Sequence, residues 1–192
     1  MKEKYKNNYK IDSMRNQKWD YSWNGAYFIT IVTKKRHPYF GEIQNNKMIL
    51  NEIGKLARNH WLQIPNHFPF IKLDRYVIMP DHFHGLLWIE KDKACLVSTN
   101  DQNLCNDKDK ACLVSSGHDQ MNRFRNPGKF SISTVIGSFK SSVTKTAKRV
   151  NHQFGWQSGF HDRIIRNEII LNKVRNYIIE NPARWESNED IL

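Results

Sequence analysis

Two histidines one residue apart, His82-Phe83-His84, form the first group in this chain whose spacing could do chemistry. On an extended strand, residues i and i+2 point to the same side, so both imidazoles would project from one face within reach of a single ion. Imidazole is a good ligand for divalent metals, and each ring keeps a second nitrogen for a hydrogen bond that orients it. Leu86 and Trp88 share that parity, whereas Phe83, Leu87 and Ile89 face the other way. Two half-buried histidines on an ordinary strand would give the same pattern.

The second group lies 95 residues further on, in Asn176-Tyr177-Ile178-Ile179-Glu180-Asn181-Pro182. Tyr177 and Asn181 are four apart and stack on one face of a helix. A phenol beside a metal-bound phosphate can act as a nucleophile, because the cation stabilises both the phenolate and the charged transition state. Asn181 offers a carbonyl oxygen to the same ion, a hard ligand suited to Mg²⁺ or Mn²⁺. Two plainer readings stand beside these: Tyr177 as a core aromatic flanked by Ile170 and Val174, and Asn181 as a C-terminal cap before a proline.

The third group is basic. Lys140, Thr144 and Lys148 form an i, i+4, i+8 stripe with Lys145 and Arg149 alongside, while Arg163, Arg166, Lys173 and Arg175 lie near the Tyr177 segment. Trp19, Tyr21, Trp23 and Tyr27 crowd the N-terminal region. Lysines and arginines neutralise phosphates, and aromatic rings stack on unpaired bases. The chain has 30 Lys+Arg against 19 Asp+Glu, a net charge of +11 and a pI near 9.6. That balance favours a polyanionic partner, nucleic acid before membrane.

Positioning these groups requires an alternating order of elements. Ala26–Thr33 is rich in β-branched and aromatic residues and predicts a strand. Leu50, Ile53, Leu56, Ala57, Trp61 and Ile64 recur at helical spacing, with Pro65 as the stop. Ile71–Met79 predicts a second strand, Pro80-Asp81 a turn, and His82–Ile89 a third strand that closes a hairpin. Ile132, Val135, Ile136, Phe139, Val143, Ala147 and Val150 mark a long amphipathic helix capped by Ser131 or Ser133. Gly155–Ile165 predicts a fourth strand, and a last helix runs from about Asn167 to Glu180, ending before Pro182. The order β-α-β-β-α-β plus a C-terminal helix is that of a ferredoxin-like (RRM-like) α+β sandwich. Its antiparallel sheet would carry two helices on one face and leave the other for a ligand and the last helix.

At 192 residues, 39% of them apolar, the chain suits a single domain with a real core. No stretch approaches the ~20 apolar residues of a membrane span, and Met1–Asn8 has no apolar core like that of a signal peptide. The octamer KDKACLVS occurs at 91–98 and again at 108–115, within polar, Asn/Asp-rich surroundings. Two copies are too few for a solenoid, so residues 91–128 are expected to be an inserted, flexible loop grown by duplication. It holds Cys95, Cys105 and Cys112. An odd count without C-x-x-C pairs gives no disulfide framework and argues for a reducing cytoplasm. Residues 91–119 contain four Lys and five Asp, so the basic excess belongs to the rest of the chain.

Taken together, these segments resemble the REP-associated tyrosine transposases, within the HUH group of single-strand nucleases. The stretches that carry the resemblance are Trp19-Asp20-Tyr21, Gly25–Thr33 with Arg36 and Phe40-Gly41, Tyr76–Leu87 around Pro80-Asp81-His82-Phe83-His84, Ile136–Ser141, Trp156–Arg166, and Tyr177–Trp185. His161 stands where the family more often has Tyr, and the duplicated insertion is a larger departure.

The resemblance implies that His82 and His84 hold Mg²⁺ or Mn²⁺, with Asn181 as third protein ligand. It implies that Tyr177 attacks a phosphate of single-stranded DNA to leave a 5′-phosphotyrosine and a free 3′-hydroxyl. The implied substrate is a repetitive extragenic palindrome, an imperfect DNA hairpin with a short unpaired guide, met in the cytoplasm at the nucleoid. Lys140, Lys145, Lys148, Arg149, Arg163 and Arg166 become the candidate DNA contacts. Two rivals stay open: a nucleic-acid-binding module without chemistry, and a metal-dependent hydrolase that uses water as nucleophile. Monomer and homodimer are both compatible with the sequence.

Overall fold

The computed structural model describes residues 21–91 and 130–185, together with the backbone of a two-residue hairpin, β1 (Lys4–Tyr5) and β2 (Asn8–Tyr9). The proposed insertion, its three cysteines and Trp19 lie outside the described residues, Lys91 excepted.

Four antiparallel strands make the central sheet: β3 (Gly25–Val32), β6 (Ile71–Ile78), β7 (His82–Ile89) and β8 (His161–Ile165), in the order β6-β7-β3-β8. Counting these four alone, that is the ferredoxin-like arrangement, in which each crossover helix packs on the same side. Strands β3 and β7 are central and buried on both faces, hence their nearly continuous apolar sequences. Tyr27, Ile29, Ile31, Phe83, Leu87 and Ile89 point into the larger core, beneath α1 (Glu52–Leu62) and α3 (Ile132–Val150). Ala26, Phe28 and Leu86 point the other way, beneath α4 (Glu168–Arg184). The parity expected around His82 and His84 is thus the parity of the two cores.

Aromatic packing anchors the larger core. Phe83 lies 4.6 Å from Trp61 and 5.5 Å from Phe139, centroid to centroid, and such pairs add about 0.5–1.5 kcal/mol beyond area burial. Gly85 makes room for this: a Cβ there would meet Trp61 Cζ2 at 2.4 Å. The three longer helices begin on side-chain caps that accept a backbone N–H, Asn51 from Gly54, Ser131 from Thr134 and Asn167 from Ile170. Of the two serines considered for α3, Ser131 is the cap.

Several boundaries differ from the sequence expectation. Leu50 does not start a helix; it ends a hairpin of β4 (Gly41–Gln44) and β5 (Lys47–Leu50). Asn45 and Asn46 turn it with φ of 51° and 60°, the left-handed pair that a two-residue hairpin needs and Asn tolerates. Pro65 does not stop a helix but sits in the first turn of a separate short one, α2 (Ile64–His67), where its missing N–H costs nothing. The fourth strand is confined to His161–Ile165; Trp156 makes an isolated bridge with Thr33. The last helix continues through Pro182 to Arg184. Proline deletes a single hydrogen bond, to Ile178 four residues back, and so close to the helix end that loss is tolerated.

Candidate active site

The row Tyr177–Asn181–Trp185, two positions on α4 and its C-terminal cap, lies alongside the histidine pair of β7. Tyr177 Oη is 3.3 Å from His84 Nε2, within one chain. Their rings stand 5.3 Å apart, and one turn on each side of Asn181 the pairing repeats, with Trp185 5.8 Å from His82. The two imidazoles are 4.6 Å apart and nearly perpendicular. Phe28 stacks on His84 at 5.2 Å and meets the Tyr177 ring edge-on at 6.1 Å, fixing both from below.

Each histidine is oriented through its other nitrogen. His82 Nδ1 lies 2.5 Å from Asp81 Oδ1. A carboxylate only accepts, so Nδ1 carries the hydrogen and Nε2 is the nitrogen turned away from Asp81. Asp81 is itself 5% exposed, and its second oxygen is 3.5 Å from Arg36 Nη1. Thr33, the residue after β3, donates its hydroxyl to the Asp81 carbonyl at 2.8 Å. His84 Nδ1 pairs with Thr30 Oγ1 at 2.8 Å. Burial, reinforced by the neighbouring His82 ring, holds His84 well below the usual imidazole range. It is therefore a neutral ring, the form that has a lone pair to give.

Tyr177 borders a cleft of about 360 Å³ between β8 and α4. Phe28, Ile170 and Val174 make its apolar floor, while Thr30, His161, Asp162, Arg163 and Lys173 surround it. Thr30 is in register with His84 on one side and His161 on the other, so these three polar groups share the face that carries the phenol.

Asn181 is buried, 8% exposed. It lies inside α4 and caps nothing, contrary to the plainer expectation. Among the described residues no three His, Cys, Asp or Glu side chains cluster as a metal site. A divalent ion here would draw on two imidazole nitrogens and an amide oxygen, and on oxygens from substrate and water. That mixed donor set, with both rings oriented, fits Mn²⁺ or Mg²⁺ better with a phosphate present than without one.

A protein of Haemophilus influenzae, described as uncharacterized, is 32% identical over 179 residues, covering 92% of this chain and 91% of that one. The chain belongs to the same family as that protein. No family model matches it. Among solved structures, a REP-associated tyrosine transposase bound to a REP hairpin aligns with a TM-score of 0.55 over 91% of this chain and 74% of that one, at 14% identity. At that identity the likeness concerns the fold alone, the four-stranded antiparallel α+β sandwich described above.

The remaining candidates separate into distinct places. Arg163 borders the Tyr177 cleft, and Arg166 is exposed just beyond β8. Lys145 and Lys148 line a groove on the opposite, helical side of the sheet, with Arg149 exposed next to them. Lys140 is different: its ammonium donates to the carbonyls of Gln157 at 2.8 Å and Gly159 at 2.6 Å, tying down the loop before β8. Arg175 is not a surface cation in wait, because it pairs with Asp74 on β6. Tyr27 is fully buried with its hydroxyl on the Trp23 carbonyl, so it offers no stacking surface. Asp81, Thr30 and Phe28 were missed by sequence reasoning as site residues. Their signal was parity: each abuts or pairs with the histidine dyad once β3 and β7 are placed in register. No helix among the described residues is long and apolar enough to cross a membrane.

Proposed function

We propose that this chain is a transposase that nicks and rejoins single-stranded DNA through Tyr177. The observation that carries the reading is the 3.3 Å approach of Tyr177 Oη to His84 Nε2, beside a second, carboxylate-oriented histidine. Tyr177 Oη attacks a backbone phosphorus; the Oη–P bond forms and the P–O3′ bond breaks. The phenolic proton passes to solvent, and the departing 3′ oxygen takes one up. The product is a 5′-phosphotyrosine with a free 3′-hydroxyl, and attack by a hydroxyl on that link rejoins strands. The phosphotyrosine retains the bond energy, so no nucleotide triphosphate is needed.

His82, His84 and Asn181 are the residues that would hold Mg²⁺ or Mn²⁺. When bound, such an ion supplies charge stabilisation at the phosphate. Asp81 and Thr30 fix the two rings so that both Nε2 atoms face the site. Phe28 and the α4 backbone hold the phenol beside the histidines, and such positioning is the entropic part of catalysis. Arg163 and Lys173 flank the cleft and meet the phosphates of the unpaired strand. The substrate class is hairpin DNA with an unpaired flank; the structurally similar transposase is bound to a REP hairpin.

The test is incubation of the protein with an end-labelled DNA hairpin and Mn²⁺. A protein–DNA adduct that survives denaturation and is lost in Tyr177→Phe supports the proposal. Cleavage without an adduct supports water as nucleophile, and binding without cleavage supports a non-catalytic module.

A further inference from the structure

His161 opens the edge strand β8 with an imidazole that the fold does not use. It is exposed, and among the described residues its ring has no hydrogen bond, ion pair or ring partner. His82 and His84, by contrast, are buried, and each is tied through Nδ1. Imidazole is the side chain that both gives and takes a proton near neutrality.

Strand register gives this ring a place in the site. His161 lies opposite Thr30, and Thr30 lies opposite His84. Paired residues share a face, with Cβ atoms about 4.5–5.5 Å apart, so the two imidazoles stand about 10 Å apart at Cβ. The Thr30 side chain lies between them. Tyr177 Oη occupies the His84 end of this row, 3.3 Å from Nε2. His161 occupies the other end, on the wall of the cleft of about 360 Å³ that Tyr177 also borders. In-line displacement at phosphorus puts the attacking and leaving oxygens on opposite sides. A phosphorus seated over Thr30 would have Tyr177 Oη on one side and its leaving oxygen turned toward His161.

We infer that His161 is the general acid of strand cleavage, the group that protonates the departing 3′ oxygen. As the Oη–P bond forms and the P–O3′ bond breaks, the imidazolium N–H passes its proton to O3′, and His161 is left neutral. The phenolic proton goes to solvent. In rejoining, the neutral ring takes the proton of the attacking 3′-hydroxyl. The inference rests on the reading of Tyr177 as nucleophile and supplies its second proton carrier. The leaving side has the greater need, because an alkoxide is a far stronger base than a phenolate. The neighbours on the cleft wall suit other tasks. Arg163 and Lys173 are cations fitted to hold phosphates, and Asp162 has an interaction partner of its own.

The experiment replaces the leaving atom. The scissile link of a DNA hairpin with an unpaired flank is mapped with wild type, and the hairpin is then made with sulfur in place of that one 3′ oxygen. A thiolate departs without a proton, so a general acid gains nothing on this substrate. Single-turnover cleavage in Mn²⁺ compares wild type, His161→Ala and His161→Gln on both DNAs, and fluorescence anisotropy measures their binding. Both variants are expected to cleave the ordinary hairpin about 10²-fold more slowly, yet to cleave the sulfur hairpin within about threefold of wild type. Their affinity for either DNA should stay within about threefold, since phosphate contacts supply most of it. His161→Gln keeps a hydrogen-bonding side chain, so a defect shared with His161→Ala belongs to the proton. A wild-type rate for His161→Ala on ordinary DNA overturns the inference, as does a defect of equal size on the sulfur hairpin. If wild type forms the Tyr177 adduct in either of those cases, the acid role alone fails. If wild type forms no Tyr177 adduct, the nicking reading fails and this inference falls with it.

Discussion

Arg175 grips Asp74 with one edge of its guanidinium: Nε lies 3.2 and 3.1 Å from the two carboxylate oxygens and Nη2 lies 2.5 Å from one of them. Asp74 occupies the irregular stretch of β6 between Leu73 and Tyr76 and also accepts from the Trp88 indole at 3.4 Å. The pair therefore staples α4 to the sheet two residues before Tyr177. Asp74→Ala or Arg175→Ala is expected to cost about 1–2 kcal/mol, below the ceiling for a charged hydrogen bond because Arg175 is partly solvated. The double exchange Asp74→Arg/Arg175→Asp should recover part of that loss. Urea unfolding of the four proteins measures it, and losses that simply add in the exchange would deny the coupling.

The same pair predicts acid sensitivity. Burial alone would raise the Asp74 carboxyl, but the hydrogen bonds from Arg175 and Trp88, with the Arg175 charge, outweigh it and hold it below the usual carboxylate range. Asp74 thus binds its proton more weakly folded than unfolded. Its stabilisation is complete above the unfolded value of about 3.9 and is lost as pH falls through the lower, folded value. Wild type should lose stability below about pH 4 more steeply than Asp74→Asn. Parallel slopes for the two proteins between pH 5 and pH 2, taken from denaturant titrations over about that range, would contradict it.

The sequence resolved the site better than its supports. A period-two reading of His82–Ile89 placed both histidines on one face, and that strand's limits match the structure, because alternation in a central strand is dictated by two packed cores. The i, i+4 step from Tyr177 to Asn181 likewise needed only helical geometry. What failed depended on partners remote in sequence. Arg175 has the composition of a DNA contact, and only the bulge in β6, 101 residues earlier, shows it to be a staple. Lys140 belongs to a regular basic stripe, yet the loop 157–159 folds back onto its ammonium. Pro65 and Pro182 each reside in helical turns, Pro65 in a first turn where no carbonyl awaits its missing N–H and Pro182 near a helix end where one lost hydrogen bond is tolerated.

Gly85 separates the functional face from the core. Replacing it with Ala drives a methyl into the fully buried Trp61 ring, which has no space to swing. A loss of about 1–3 kcal/mol is expected, read as a lower melting temperature. An unchanged melting temperature would mean that Trp61 has an alternative seat.

Metal dependence should separate chemistry from binding. Chelation with EDTA, or His82→Ala or His84→Ala, is expected to abolish DNA cleavage while hairpin affinity falls less than about tenfold, because phosphate contacts by exposed cations supply most of the affinity. Mn²⁺ should restore the chelated wild type and neither variant. Parallel loss of binding and cleavage would show that the histidines serve structure or DNA contact instead.

The most direct measurement concerns the hydroxyl of Tyr177 itself. Labelled hairpin DNA is incubated with wild type and Tyr177→Phe in Mn²⁺, the mixture is denatured, and the covalent species is digested and sequenced by mass spectrometry. A DNA 5′-phosphate attached to the Tyr177 peptide, with no adduct in the variant, is the predicted result. Cleavage by Tyr177→Phe at the wild-type rate, or a phosphate found on any other residue, would contradict it.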